Sequence, residues 1–229
     1  CKITNYLKKN SEKIITDLDI FFELNKKKNI ISITGTNGKS TTCKILEKIL
    51  KADKYKVVTL GNIGKPILDY KDKSKNKKSI IILEVSSYQL QYSKIFRSEH
   101  AAILNISPDH LDRHKTISNY AKTKSRIFHA QRKNDYLYIN ASNKYSKLFK
   151  RIYKNKKIKS KLIMINKSSY EFLLQKINNK YFKSTGNFEN LIFAYKIARN
   201  FKVTDKTIVN ALNRFKGLPH RQEIVLSTK

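Results

Sequence analysis

The run Ile30-Ile31-Ser32-Ile33-Thr34-Gly35-Thr36-Asn37-Gly38-Lys39-Ser40-Thr41-Thr42 holds the residues best suited to handling phosphate. An apolar, β-branched stretch enters a glycine-rich turn that ends in Gly-Lys-Ser. Ile45, Leu46, Ile49 and Leu50 then fall on one helical stripe. The pattern reads as strand, phosphate loop, helix. Glycines let backbone N–H groups converge on phosphate oxygens, and a helix N-terminus adds positive potential. Lys39 would reach the terminal phosphates as a point charge, and the Ser40 hydroxyl would face a magnesium ion. Only Thr36 and Asn37 separate Gly35 from Gly38, so the loop is shorter than the general G-x-x-x-x-G-K-[ST] pattern.

Four further segments carry polar groups just after apolar runs. Gly61-Asn62-Ile63-Gly64 permits a tight loop in which Asn62 could orient a ligand, and a plain turn explains it equally well. Glu84 ends the run Ile80-Ile81-Ile82-Leu83, ahead of Val85-Ser86-Ser87-Tyr88-Gln89-Leu90. A carboxylate at the end of a buried strand needs a partner, either a structural cation or magnesium beside a nucleotide. Asn105-Ile106-Ser107-Pro108-Asp109-His110-Leu111-Asp112-Arg113-His114 packs titratable groups densely. His110 could bind a metal there, with Asp109 or Asp112 orienting its ring. Finally, Ile117, Tyr120, Lys124, Ile127 and Phe128 share a helical stripe, which puts Lys124 among apolar neighbours. Its ammonium could snorkel to a rim, or its amine could react with carbon dioxide to give an anionic carbamate able to ligate a cation.

These groups need a scaffold. Apolar runs of four to six residues recur at 30–34, 55–60, 80–85, 101–106, 136–140 and 162–165. Several are apolar throughout, as strands covered on both faces are. Helical patterns fall at 40–52, 118–131, 187–200 and 204–215, the last with Thr204 or Asp205 as N-cap and Ile208, Leu212 and Phe215 inward. The expectation is an α/β fold, a mostly parallel sheet flanked by helices, with ligands beyond the carboxyl ends of strands. Residues 1–29 read as a leftover piece plus a linker.

Composition narrows the function classes. The chain has 229 residues, enough for one sizeable core, and no apolar run of membrane-spanning length. It begins at Cys1 and ends soon after Ile224-Val225-Leu226, which reads as a piece of a longer protein. Cys1 and Cys43 make no disulfide framework; Cys43 reads as a small helix residue, and a reducing cytoplasm fits. The net charge of +32 invites a nucleic-acid reading. However, only eight of the 49 basic residues are Arg, and the lysines are scattered, as in residues 71–78. No nucleic-acid-binding module accompanies them.

Together the motifs resemble the Mur ligases, ATP-dependent amide-forming enzymes of peptidoglycan synthesis. Gly35–Thr41 looks like that family's phosphate loop, short spacing included. Glu84–Leu90 looks like its Glu-Leu-Ser-Ser-Phe-Gln-Leu segment, and Asn105–His114 like its Asn-x-Ser-x-Asp-His-Leu-Asp-Arg-His segment. Gly217-Leu218-Pro219-His220-Arg221 matches the close of its central domain. Gly61–Gly64 and the Tyr-Gln after Ser87 favour the D-glutamate-adding branch. The resemblance implies that Gly35, Thr36, Asn37, Gly38, Lys39, Ser40, Thr41, Asn187 and Arg221 bind ATP. It places Asn62 and Ser86 near the substrate, and Ser40, Glu84, His110 and a carbamylated Lys124 around Mg2+. Lys39, Lys124 and His110 would serve catalysis. Gly186 stands before Asn187 where the family usually has His, which bears on the local adenine contact. Residues 1–29 would then be the tail of a first, UDP-substrate domain with its linker. Residues 30–221 would be the central ATP-binding domain, and 222–229 the start of a third. The implied substrates are ATP, UDP-N-acetylmuramoyl-L-alanine and D-glutamate, joined through an acyl phosphate by a monomeric cytoplasmic enzyme, with this piece alone inactive. Another Mur-type ligase or a nucleotide-binding module of a different pathway is the alternative.

Overall fold

A computed structural model describes residues 10–61, 65–71 and 79–218. Six parallel strands form one sheet: β1 (Asn29–Thr34), β2 (Lys56–Gly61), β3 (Ser79–Glu84), β4 (His100–Ile103), β5 (Tyr136–Asn140) and β6 (Lys161–Ile165). Their order is β2-β3-β1-β4-β5-β6. Each apolar run identified in the sequence overlaps one of them. The run at 101–106 pairs only as far as Ile103, and its last three residues become a loop that matters below.

The strands read as unbroken apolar runs because both faces are covered. Side chains alternate. Ile31, Ile33, Ile80, Ile82 and Tyr138 belong to one core. Helices α2 (Lys39–Ala52), α8 (Thr185–Asn200) and α9 (Asp205–Asn213) cover it. Ile30, Ile81, Leu83, Leu137 and Ile139 belong to the other core. It is covered by α1 (Asp17–Asn25), α5 (Ile117–Ser125) and α6 (Ser146–Asn155). Short helices α3 (Ser87–Leu90), α4 (Leu111–His114) and α7 (Phe172–Lys176) complete the set among the described residues.

Local chemistry fixes the ends of these helices. Thr16 caps α1 in a reciprocal box with Asp19, and Thr204 caps α9 by accepting from the Thr207 amide at 3.2 Å. Within 1–29, then, residues 17–25 form a helix that buries Leu18, Phe21 and Phe22 against the sheet. The helical pattern at 118–131 is shorter than expected. α5 ends at Ser125 and passes into a 3-10 turn, Arg126–Phe128, which carries Ile127 and Phe128 inward.

Topology places the functional loops. The chain leaves β1 for the edge strand β2, returns through β3 beside β1, and crosses to β4 on the other flank. The carboxyl end of β1 is therefore where connections diverge, the usual ligand position in open α/β sheets. The loop after β1 lies between the ends of β3 and β4.

Candidate active site

The phosphate loop runs from Gly35 into α2. Gly38 takes φ +82° at the N-cap of α2, and a Cβ there would overlap the side-chain amide of Asn190. Asn190 in turn sits 3.3 Å from the Thr42 hydroxyl, which donates back to the Gly38 carbonyl at 2.9 Å. Glycine is thus required at Gly38 for both backbone conformation and space. The loop after β4 clasps the other side. Thr36 N–H donates to the Asn105 carbonyl at 3.0 Å, and the Ser107 amide donates to the Thr36 hydroxyl at 3.1 Å. Asn37 N–H donates to Asn105 Oδ1 at 2.9 Å, and Asn105 Nδ2 donates to the Asn37 carbonyl at 3.1 Å. Lys39 Nζ donates to the carbonyls of Gly35 and Thr36 at 3.1 and 2.8 Å, which holds its charge over the loop.

Glu84 is buried at the end of β3, in register with Gly61 on one side and Ile33 on the other. Gly61 has φ +116°, and a Cβ there would strike the Glu84 carbonyl, so only glycine lets β2 pass so close. Lys124 is 1% exposed and does not snorkel. Its Nζ donates to the Thr34 hydroxyl at 3.2 Å and lies 4.7 Å from the Tyr120 ring centre. Burial, with the nearby Lys39 charge, brings its amine down to about 7, while Asp109 and Glu84 oppose the shift. Those same interactions place Lys39, Glu84 and Asp109 within electrostatic reach of Lys124.

His110 sits at the N-cap of α4, with φ +51°. Its ring stands edge-on to Tyr88 at 5.1 Å and near Tyr120 at 6.3 Å, with Nε2 3.4 Å from Asp109. Asp109, rather than the exposed Asp112, therefore orients it. Ser86 caps α3, where its hydroxyl accepts from the Gln89 amide at 3.3 Å. Asn187 is buried and donates to the Tyr181 carbonyl at 3.0 Å. With Gly38, Thr41, Ser184, Gly186 and Asn190 it lines a cleft of about 390 Å³ that opens beside the phosphate loop. Cys43 is fully buried on α2 and its thiol is pushed well up by burial, which suits a packing role. Asn62 and Arg221 lie outside the described residues, as do 222–229.

The structure thus gathers Gly35–Thr41, Glu84, His110 and Lys124 at the carboxyl end of the sheet. Sequence reasoning gave no role to Asn105, Asn190 or Tyr120. Asn105 could have been suspected, as an amide placed directly after an apolar strand. Among the described residues, no three His, Cys, Asp or Glu gather as a metal cage. The donors present, a buried carboxylate at Glu84 and a hydroxyl at Ser40, are hard oxygens. They suit a magnesium ion that takes its remaining ligands from phosphate and water.

A parallel sheet with a phosphate loop on its central strand, flanked by an acidic strand end and a buried lysine, defines a nucleotide-handling α/β domain. The chain belongs to the Mur ligase family: the family's middle-domain model matches residues 33–211. UDP-N-acetylmuramoylalanine–D-glutamate ligase of Rickettsia felis is 36% identical, over 98% of this chain and 52% of its own length. The ligase of the same name from Caldicellulosiruptor bescii is 34% identical, over 95% and 50%. The chain therefore spans about half the length of the curated relatives it matches. Among solved structures, MurF from Acinetobacter baumannii superposes with a TM-score of 0.67 at 17% identity, over 89% of this chain and 49% of that one. E. coli FolC in complex with DHPP and ADP gives 0.60 at 15%, over 98% and 67%. These two show the shared fold. No helix among the described residues is long and apolar enough to cross a membrane.

Proposed function

We propose that the protein carrying this chain is an ATP-dependent amide ligase that joins D-glutamate to UDP-N-acetylmuramoyl-L-alanine in the cytoplasm, for peptidoglycan synthesis. The observation that carries this reading is the clasped phosphate loop with a buried, readily deprotonated Lys124 beside it, in a chain most of whose length matches relatives of that name. Residues 30–221 are taken as the central ATP-binding domain. The flanks, 1–29 and 222–229, lead to the domains for uridine nucleotide and amino acid. On that division, this half of the enzyme binds Mg-ATP weakly and does not ligate by itself.

In the first step a carboxylate oxygen of the substrate attacks the γ-phosphorus of ATP, and the bond to the β,γ-bridging oxygen breaks to release ADP. The D-glutamate amine then attacks the acyl carbon. The carbon–oxygen bond breaks, inorganic phosphate leaves, and the nitrogen loses a proton. Phosphoryl transfer asks chiefly for positioning and charge neutralisation. Lys39, the loop amides and the N-terminus of α2 supply both. Ser40 and Glu84 would hold magnesium, which neutralises phosphate charge when bound, with His110 at the rim of that site. Lys124, as its carbamate, would add an anionic ligand: the neutral amine bonds to the carbon of carbon dioxide and sheds one proton. Asn187 would face the adenine side, Arg221 the nucleotide, and Asn62 and Ser86 the acyl substrate.

The test is ADP formation over many turnovers by the whole protein with ATP, UDP-N-acetylmuramoyl-L-alanine and D-glutamate, because the first ADP can form before D-glutamate attacks. Release that requires both co-substrates is expected. Release that ignores D-glutamate would return the chain to a nucleotide-hydrolysing module of another pathway.

A further inference from the structure

A second cleft, of about 740 Å³, lies between α5 with its 3-10 extension and α6, and shares no residue with the phosphate loop. Lys122, Arg126, Arg151 and Lys156 line it, with His129, over an apolar floor of Leu148 and Ile152. No carboxylate lines it. In a chain this basic, positive patches are common, and another basic cleft carries a carboxylate among its cations: Glu47 there lies 2.9 and 2.6 Å from Lys44 and Lys51, beside Lys48, Arg214 and Lys216. Among the described residues, none of the four cations between α5 and α6 has such a partner.

Arg126 makes the point most sharply. It is half-buried, and its Nε and Nη2 both donate to one neutral acceptor, the Ser93 carbonyl. Burial lowers its guanidinium, and only the more distant Asp19 opposes this. The local field is also felt by His129. Burial first, then the Lys156 and Arg126 charges, bring its imidazole down to about 3. Concave surfaces lined by one sign of charge focus potential, and paired guanidinium groups match phosphate oxygens geometrically. The lining offers no Phe, Tyr or Trp face on which successive bases could stack, and His129 is its one ring, which disfavours a single-stranded nucleic acid. The volume is that of a small-molecule site.

We propose that the cleft between α5 and α6 is a second anion-binding site, which takes a small soluble molecule bearing two or more phosphate groups. It needs no part of the ligase reading. α5 carries Lys124 on its buried side and Lys122 on its exposed side, so an occupant would press on the helix that holds Lys124.

The probe is inorganic tripolyphosphate, titrated calorimetrically at about 0.15 M salt into the protein and into three variants, each checked for an unchanged melting temperature. Lys122→Glu/Arg151→Glu reverses two exposed charges of the cleft. Lys56→Glu/Lys206→Glu reverses two exposed charges elsewhere. Lys39→Ala disables the phosphate loop. The expected result is a binding event weakened at least tenfold by the cleft reversal, and spared by both the remote reversal and Lys39→Ala. If the only event is lost with Lys39→Ala, or the remote reversal weakens binding as much, the proposal is overturned. It is equally overturned if an oligonucleotide occupies the cleft more tightly than tripolyphosphate does. An event that survives Lys39→Ala alone supports the cleft whatever becomes of the phosphate-loop reading.

Discussion

Asn37 and Asn105 exchange two hydrogen bonds: backbone N–H to side-chain oxygen at 2.9 Å, and side-chain amide to backbone carbonyl at 3.1 Å. One side chain therefore satisfies both main-chain groups of the residue at the crown of the phosphate loop. It ties that loop to the end of β4 and preorganises it, so that nucleotide binding does not have to order it.

Asn105→Ala is accordingly expected to leave the fold intact while weakening nucleotide binding. The loss of two hydrogen bonds at a half-exposed site should cost about 1–2 kcal/mol, roughly tenfold in affinity. Asn105→Asp keeps the acceptor but places a carboxylate beside the phosphates, and should bind more weakly still. Titration of Mg-ATP into both variants checks this. Parent-like affinity for Asn105→Ala would mean that the clasp contributes nothing.

Gly38 makes a second, sterically sharper case. Alanine there must adopt φ +82° and displace Asn190. The left-handed conformation alone costs about 1–2 kcal/mol, and the overlap adds to it. Gly38→Ala should lower the melting temperature and abolish nucleotide binding. Gly38→Ala/Asn190→Ala should recover part of the stability, because it removes the overlap but not the strain. A double variant no more stable than the single one would place the whole effect in the backbone.

Much of this was legible beforehand. All six strands announced themselves, because a doubly covered parallel sheet demands unbroken apolar runs. Lys124 was legible as an inward residue, because its stripe with Tyr120, Ile127 and Phe128 follows the helical period. What the sequence concealed was non-local. The bond between Asn37 and Asn105 spans 68 residues, and the overlap of Gly38 with Asn190 spans two elements. Neither leaves a periodic trace. α6 is a different omission. Leu148, Phe149, Ile152 and Tyr153 recur at helical spacing, and the run was obscured only by the lysines between them. α1, with Thr16 and Asp19 in capping positions, was similarly hidden in a Lys- and Asn-rich stretch.

Acid should destabilise the fold through His100. This residue is buried, stacks on Tyr136 at 4.9 Å and bonds the Tyr138 hydroxyl through Nδ1 at 2.8 Å. Burial lowers its imidazole from 6.5 to about 4. Between those values the unfolded chain binds a proton that the folded protein refuses, so stability falls as pH drops from 6.5 towards 4 and is constant above. At about 1.4 kcal/mol per unit, this one site contributes up to about 3 kcal/mol. His100→Gln, which does not titrate, should flatten the profile over that window in urea unfolding between pH 4 and 7. An unchanged slope would assign acid sensitivity to other groups, such as His129.

Lys124 yields the most consequential prediction. A buried amine brought down to about 7 is substantially neutral at cellular pH, the state in which it can capture carbon dioxide. Carbamylation exchanges a costly buried cation for an anion, placed among Lys39, Thr34 and the proposed magnesium ligands. Lys124→Ala should therefore cost the proposed ligase on the order of 100-fold or more in rate, with the nucleotide affinity of the phosphate loop largely kept. Short carboxylates such as acetate should restore part of the rate by occupying the vacated space with a negative charge. Lys124→Arg should not restore it, because a guanidinium cannot become the anion and would bring a second fixed cation close to Lys39. Labelled carbon dioxide should give a carbamate carbon signal in the parent that is absent from both variants. Full activity of Lys124→Arg, or no acetate response in a folded Lys124→Ala, would reduce this lysine to a buried packing residue that donates to Thr34.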